Sequence, residues 1–183
     1  MRVAVYGGSF NPPHVAHAMV ASWLLWTGRA DAVWLLPVYR HAFEGLHGKD
    51  LAPFDLRVRW CQAMASDVHE RLRVCDVERD LPVPSYSIVT LRHLASQHPE
   101  HSFRLVVGAD VLGQLPKWRD WSAIASDFDP IIVGRAGYPP VPDAVSFPDI
   151  SSTEIRHRLA TGAPVDHLVT RGVARLLSAE SFP

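Results

Sequence analysis

Two histidines three residues apart, His14 and His17, follow paired glycines and paired prolines in the string Gly7-Gly8-Ser9-Phe10-Asn11-Pro12-Pro13-His14-Val15-Ala16-His17. That arrangement suits phosphoryl chemistry. Glycines let the backbone approach a ligand closely. The start of a helix leaves N–H groups free and presents the positive end of the helix dipole, and both attract phosphate. Residues three apart share a helix face. Both imidazoles would therefore point at an anion lying over that terminus and could donate hydrogen bonds to its oxygens as charge develops. Neither need be a base, because a phosphate nucleophile is already ionised at neutral pH. The bland alternative is a pair of partly exposed helix histidines. A zinc site lacks a third candidate ligand.

A second group of residues lies near the other end of the chain. Ile150-Ser151-Ser152-Thr153-Glu154-Ile155-Arg156-His157-Arg158 opens a helix, and Ser151 with Glu154 fits a capping box. The hydroxyls of Ser151, Ser152 and Thr153, with the free N–H groups, could hold phosphate oxygens. Arg156, one turn in, would neutralise their charge. Arg158 reads as a solvated surface charge. Between the two groups, Asp110 follows Gly108, Trp118 follows eight residues later, Ser87 follows Pro84-Ser85-Tyr86, and Arg135 follows Gly134. On local grounds alone Asp110 and Ser87 are helix N-caps, Trp118 is a core residue, and Arg135 is a cation at a strand end.

These residues need a scaffold. Residues 3–6 form a short apolar run closed by Gly7-Gly8, which reads as a buried strand. Pro12 and Pro13 cannot sit inside a helix but can precede one, and residues 15–26 are apolar enough for a mostly buried helix. Residues 32–36, 72–77, 103–107 and 131–133 read as further strands, and residues 54–65 and 87–95 as helices. Residues 40–53 and 79–85 read as loops. Residues 138–148 form a proline-rich loop with a short edge strand at 145–147. Residues 152–159 and 165–177 read as closing helices. Short apolar strands alternating with helices predict an α/β fold with a parallel sheet covered on both faces. Such sheets bind ligands beyond the carboxyl ends of their strands, the edge where Gly7, Gly108 and Gly134 would lie.

Composition narrows the function classes. The chain has 183 residues, which suits one domain of the usual size of roughly 100–200 residues. Hydrophobic residues make up 48%, enough for a sizeable core, and the net charge is −1. No global basic field points to nucleic acid or an anionic membrane, so phosphate must be bound by a few local groups. Two cysteines without C-x-x-C spacing predict neither a zinc site nor a disulfide framework, and suit a cytoplasmic setting. No apolar stretch is long enough to span a membrane, and no residue pattern bears on oligomeric state.

The first string resembles the nucleotide-binding signature of the HxGH nucleotidyltransferase superfamily, and in the form GGSFNPPHVAH that of the nicotinate-nucleotide adenylyltransferases. Ala16 stands where that pattern has glycine. The second string resembles the family's ISSTxIR motif. The resemblance implies a Rossmann-like, doubly wound parallel sheet with helices on both faces, as a single nucleotidyltransferase domain over 1–183. It implies transfer of AMP from ATP to nicotinate mononucleotide or nicotinamide mononucleotide in NAD biosynthesis, with Mg²⁺ carried on the ATP phosphates. By the resemblance His14, His17 and Arg156 are catalytic. Gly7, Gly8, Ser9, Phe10, Gly108, Asp110, Ser151, Ser152 and Thr153 bind nucleotide, while Ser87, Trp118 and Arg135 meet the second substrate. Where the family carries a P-P-H-K type loop, this chain has Val38-Tyr39-Arg40-His41, then Phe43, His47 and Lys49. Another phosphate acceptor, of the pantetheine or head-group type, stays open, as does a non-catalytic nucleotide-binding module.

Overall fold

The computed structural model describes residues 1–41 and 51–179. Its strands are β1 (Arg2–Gly8), β2 (Ala32–Pro37), β3 (Leu72–Val74), β4 (Ser102–Gly108), β5 (Ile131–Arg135) and β6 (Ser146–Phe147). They form one sheet in the order β3-β2-β1-β4-β5-β6, and every neighbouring pair is parallel. The chain winds from β1 outward to β3, then returns to the other side of β1 as β4. The carboxyl ends of β1 and β4 therefore flank the point where the winding reverses, which is where sheets of this kind hold ligands.

Consecutive residues Val3, Ala4 and Val5 in β1 are all buried. A strand covered on one face would bury only alternate residues. Ala4 packs into a core shared by α1 (Val15–Trp26), α2 (Phe54–Val68), α5 (Ser152–Ala160) and α6 (Arg171–Ala179). Val3 and Val5 pack on the opposite side against α3 (Ser87–Gln97) and α4 (Trp121–Phe128). This is the doubly wound α/β architecture expected from the sequence. Among the described residues no helix is long and apolar enough to cross a membrane.

Several boundaries differ from those expected. The strand expected at 72–77 ends at Val74, and Val77–Asp80 turns into a 3-10 helix. The helix α4 arises in a stretch to which the sequence pattern assigned no element. The helix expected at 165–177 starts only at Arg171. Val165, Leu168 and Val169 are buried, but outside any helix, and the Leu168 carbonyl accepts the N–H of Val15 at 2.9 Å. That carbonyl supplies a partner to the first turn of α1 instead of continuing its own helix.

Ile155 is fully buried in α5 and anchors that helix to the α1–α2 core. Truncation to Ala should destabilise the protein by about 2–5 kcal/mol. Chemical denaturation would measure this, and a loss below 1 kcal/mol would show that α5 is held by other means.

Candidate functional site

The loop between β1 and α1 is held in a conformation it would not choose alone. Phe10 has φ +45°, a left-handed value uncommon for a bulky residue. Its ring is buried, edge-on to Tyr6 at 5.9 Å and to His17 at 4.9 Å. A Cβ on Gly8 would stand 3.2 Å from that ring, so glycine is the residue that fits. Side chains from two helices grip the loop carbonyls. Arg57 Nη1 in α2 donates to the Ser9 carbonyl at 2.9 Å. In α5, Arg156 Nη1 donates to the Asn11 carbonyl and Ser152 Oγ to the Pro12 carbonyl, each at 2.8 Å. Asn11 Oδ1 accepts the N–H of Ala52 at 3.1 Å. Surroundings that over-determine the backbone in this way are what allow such strain to persist.

His14 occupies the N-cap position of α1 and His17 lies within the first turn. Their ring centroids are 3.7 Å apart. The His14 backbone N–H donates to His17 Nδ1 at 3.1 Å. A neutral imidazole that accepts at Nδ1 carries its proton on Nε2, so His17 keeps one N–H to donate. Burial pushes the His14 pKa down to about 4, helped by the Arg135 charge. His17 falls well below its ordinary value, through burial, then His14, then Arg135. Both rings are therefore neutral near pH 7. The His14 side chain turns toward the His17 backbone N–H, and its Nδ1 is buried without a hydrogen bond of normal geometry.

A cavity of about 1780 Å³ opens beside these residues. That exceeds the roughly 300–1,000 Å³ usual for one small ligand, and it leaves room for two nucleotides. Gly7, Gly8, Ser9, His14, Ala16 and His17 line one part of it. Ala16, at the family's glycine position, is thus a methyl group on the cavity wall. Gly108, at the end of β4, and Asp110 also line the cavity, as do Ser87, at the start of α3, and Trp118. Trp118 is wedged edge-on to Trp121 at 6.0 Å.

Of the second motif only Ile150 lines this cavity; Ser151, Ser152, Thr153 and Arg156 do not. They lie behind the loop, where Ser152 and Arg156 hold it. Arg156 Nη2 also meets Thr153 Oγ1 at 3.3 Å. Ser151 Oγ accepts the Glu154 N–H at 3.1 Å, which is half of the expected capping box. The Glu154 carboxylate turns instead to Arg158, at 3.0 Å. Arg158 is thus ion-paired along the helix rather than simply solvated. Arg135 lines the cavity between two carboxylates, with Nη1 2.8 Å from Asp110 and Nη2 2.8 Å from Asp149.

Among the cavity-lining residues that escaped the sequence reading are Arg57, Glu78, Tyr6 and Arg119. Arg57 is buried and gives its Nε to the Ala52 carbonyl at 2.9 Å. Glu78 is buried, accepting the Tyr39 N–H at 3.0 Å and the Thr90 hydroxyl at 3.1 Å. Tyr6 lies under His17, and its hydroxyl pKa is driven up chiefly by burial. Arg119 packs over Tyr86. The one available signal was Arg57, a cation between apolar Leu56 and Val58. His41 closes the near wall, with Nε2 2.9 Å from Ser9 Oγ, and Phe43, His47 and Lys49 lie outside the described residues. Among the described residues no group of three or more His, Cys, Asp or Glu could hold a metal ion.

Residues 5–158 match the cytidylyltransferase-like family. A protein of Anaeromyxobacter sp. strain K, named "Probable nicotinate-nucleotide adenylyltransferase", is 48% identical, covering 98% of this chain and 95% of its own length. One of the same name from Myxococcus xanthus is 37% identical, over 95% of this chain and 90% of its own. The fold is that of the nicotinic acid mononucleotide adenylyltransferase of Plasmodium falciparum solved with NaAD, at TM-score 0.76 and 17% identity, over 97% of this chain and 95% of that one. With its glycine loop, paired imidazoles and cavity in that frame, the chain belongs to the nicotinate-nucleotide adenylyltransferase family within the cytidylyltransferase-like proteins.

Proposed function

We propose that this enzyme transfers AMP from ATP to nicotinate mononucleotide, releasing pyrophosphate and forming the dinucleotide used in NAD biosynthesis, as one catalytic domain working in the cytoplasm. The observation that carries the reading is the grip of Ser152 and Arg156 on the Asn11 and Pro12 carbonyls. It ties a guanidinium, from behind, to the loop that leads into two neutral imidazoles, and those imidazoles line a cavity large enough for both substrates. A cytoplasmic setting agrees with Cys61 and Cys75 both being free thiols.

In this reading a phosphate oxygen of the mononucleotide attacks the α-phosphorus of ATP in line. The new P–O bond forms as the bond to pyrophosphate breaks. The attacking oxygen has no proton to lose, so catalysis rests on position and charge. His14 and His17 donate to oxygens on the phosphorus, and Arg156 offsets the charge on the triphosphate. The backbone of Gly7, Gly8 and Ser9 forms the phosphate cradle, and Phe10, Ser151 and Thr153 support it from behind the loop. Gly108 and Asp110 contact the adenosine side, while Ser87 and Trp118 hold the pyridine ring, an aromatic face being a good partner for a flat heterocycle. Arg135, ion-paired on both sides, acts through its hold on Asp110. A divalent cation such as Mg²⁺, brought with ATP rather than held by a carboxylate cluster among the described residues, would supply charge neutralisation for the pyrophosphate.

The test is pyrophosphate release from ATP with each of several acceptors. Release should be fast with nicotinate mononucleotide and negligible with pantetheine phosphate or a head-group phosphate. Release only with pantetheine phosphate would move the enzyme to another substrate class. ATP binding without release for any acceptor would make it a binding module.

A further inference from the structure

We infer that Arg119 is the residue that reads the acid group on the pyridine ring and makes the enzyme prefer the acid mononucleotide over the amide. The inference rests on the function proposed above and deepens it. The two acceptors share every phosphate and ribose group and differ by one negative charge on the ring. Discrimination between them therefore has to come from the ring end of the cavity.

Among the described residues five Lys and Arg residues line the cavity, and they are not equivalent: Arg40 is tied through its backbone N–H and carbonyl to Ser85. Arg135 is held between Asp110 and Asp149. Arg57 is directed to the carbonyls of Ser9 and Ala52, under the glycine loop. Arg119 has no carboxylate within ion-pair distance among the described residues, and its guanidinium lies 4.9 Å from the centroid of the Tyr86 ring. That contact joins the segment after Lys117 to the start of α3. Arg119 follows Trp118, and Tyr86 immediately precedes Ser87, the first residue of α3. All four residues line the cavity. Lys117 lines it too, with neither a ring nor a carboxylate to hold it among the described residues.

A guanidinium stacked on an aromatic ring has its plane fixed in advance. Its N–H groups form a fork that matches a carboxylate in two places, whereas a carboxamide presents one acceptor oxygen and an NH₂ that opposes the fork. At the start of α3, Tyr86 offers no side-chain cap and the helix carries no acidic residue of its own in its first turn; the carboxylate that contacts this helix, Glu78, is engaged by Thr90 and the Tyr39 N–H. The acid ring thus gains a charge-assisted pair that the amide ring cannot make.

Initial rates with ATP and each mononucleotide test this in the full-length enzyme, using Arg119→Gln, Arg119→Lys and Lys117→Gln. Arg119→Gln should lower kcat/KM for the acid about tenfold, through KM, and leave the amide and the KM for ATP unchanged. Arg119→Lys should keep part of the preference. Lys117→Gln removes the same charge and should keep nearly all of it. Arg119 is exposed, so its replacement leaves the core intact. Equal losses for both acceptors, an unchanged preference in Arg119→Gln, or a matching loss in Lys117→Gln would overturn the inference while leaving the adenylyltransferase reading in place. A parent enzyme that uses neither mononucleotide would instead remove that reading, and the inference with it.

Discussion

His17→Ala should lower turnover by about 10²–10³-fold, the usual cost of losing one donor aimed at developing charge, while shifting the KM for the mononucleotide only a few-fold. The expectation follows from the tautomer. The His14 N–H occupies His17 Nδ1, so the proton of the neutral ring sits on Nε2 and is available to an oxygen on the reacting phosphorus. Alanine also removes the acceptor for the His14 N–H and the ring that packs on Phe10, so a fall in activity alone would not separate chemistry from folding. Two further variants do. His17→Asn can keep an acceptor near the Nδ1 position without a donor at the far end, and should fold well yet stay slow. His17→Gln reaches further and should recover part of the rate. Normal turnover in His17→Ala, or full activity in His17→Asn, would remove His17 from the chemistry.

The second large effect is on stability against acid. The His14 pKa lies at about 4 in the folded protein, against about 6.5 for the unfolded chain. Between those values the unfolded state binds the proton and the folded state does not, so stability falls as pH falls. The contribution is fully present above pH ~6.5 and is lost progressively toward pH ~4, and the difference amounts to about 3 kcal/mol. His17 is shifted in the same direction and steepens the loss. His14→Gln removes one proton site and should flatten the profile relative to the parent. Denaturation midpoints at a series of pH values between about 7 and 4.5 would show it, and parallel profiles for the two proteins would refute the assignment. A bound nucleoside triphosphate should flatten the parent's profile as well, because its negative charge favours the protonated rings. The acid sensitivity and the catalytic role share one cause: imidazoles kept neutral by burial stay uncharged until a substrate anion arrives.

Much of this protein is written in short stretches of sequence. The strand, the glycine pair and the start of α1 are consecutive, and the rules that shape them operate over a few residues. The capping hydroxyl of Ser151 is read from a spacing of three, and the two-sided burial of β1 from an uninterrupted apolar run. These local patterns predicted the parallel sheet, its ligand-binding edge and the places of His14, His17 and Gly108 along it, whereas Asp110, locally a helix N-cap, is linked to the nucleotide only by the family resemblance.

Tertiary structure decided which groups those elements grip. Arg57 meets the Ser9 carbonyl across 48 positions of chain, and Arg156 meets the Asn11 carbonyl across 145. A backbone carbonyl has the same chemistry at every residue, so no side-chain pattern announces which one a distant guanidinium will choose. For the same reason residues 165–170 read as helix but do not form one, since the Leu168 carbonyl serves Val15 and only the assembled packing brings that partner near. Arg135 read as a free cation until Asp110 and Asp149 closed on it. Periodicity in the sequence thus determined the elements and the edge where they meet. Long-range pairing, which depends on distances through space, decided how the loop is strained, which charges are neutralised and which remain for a ligand.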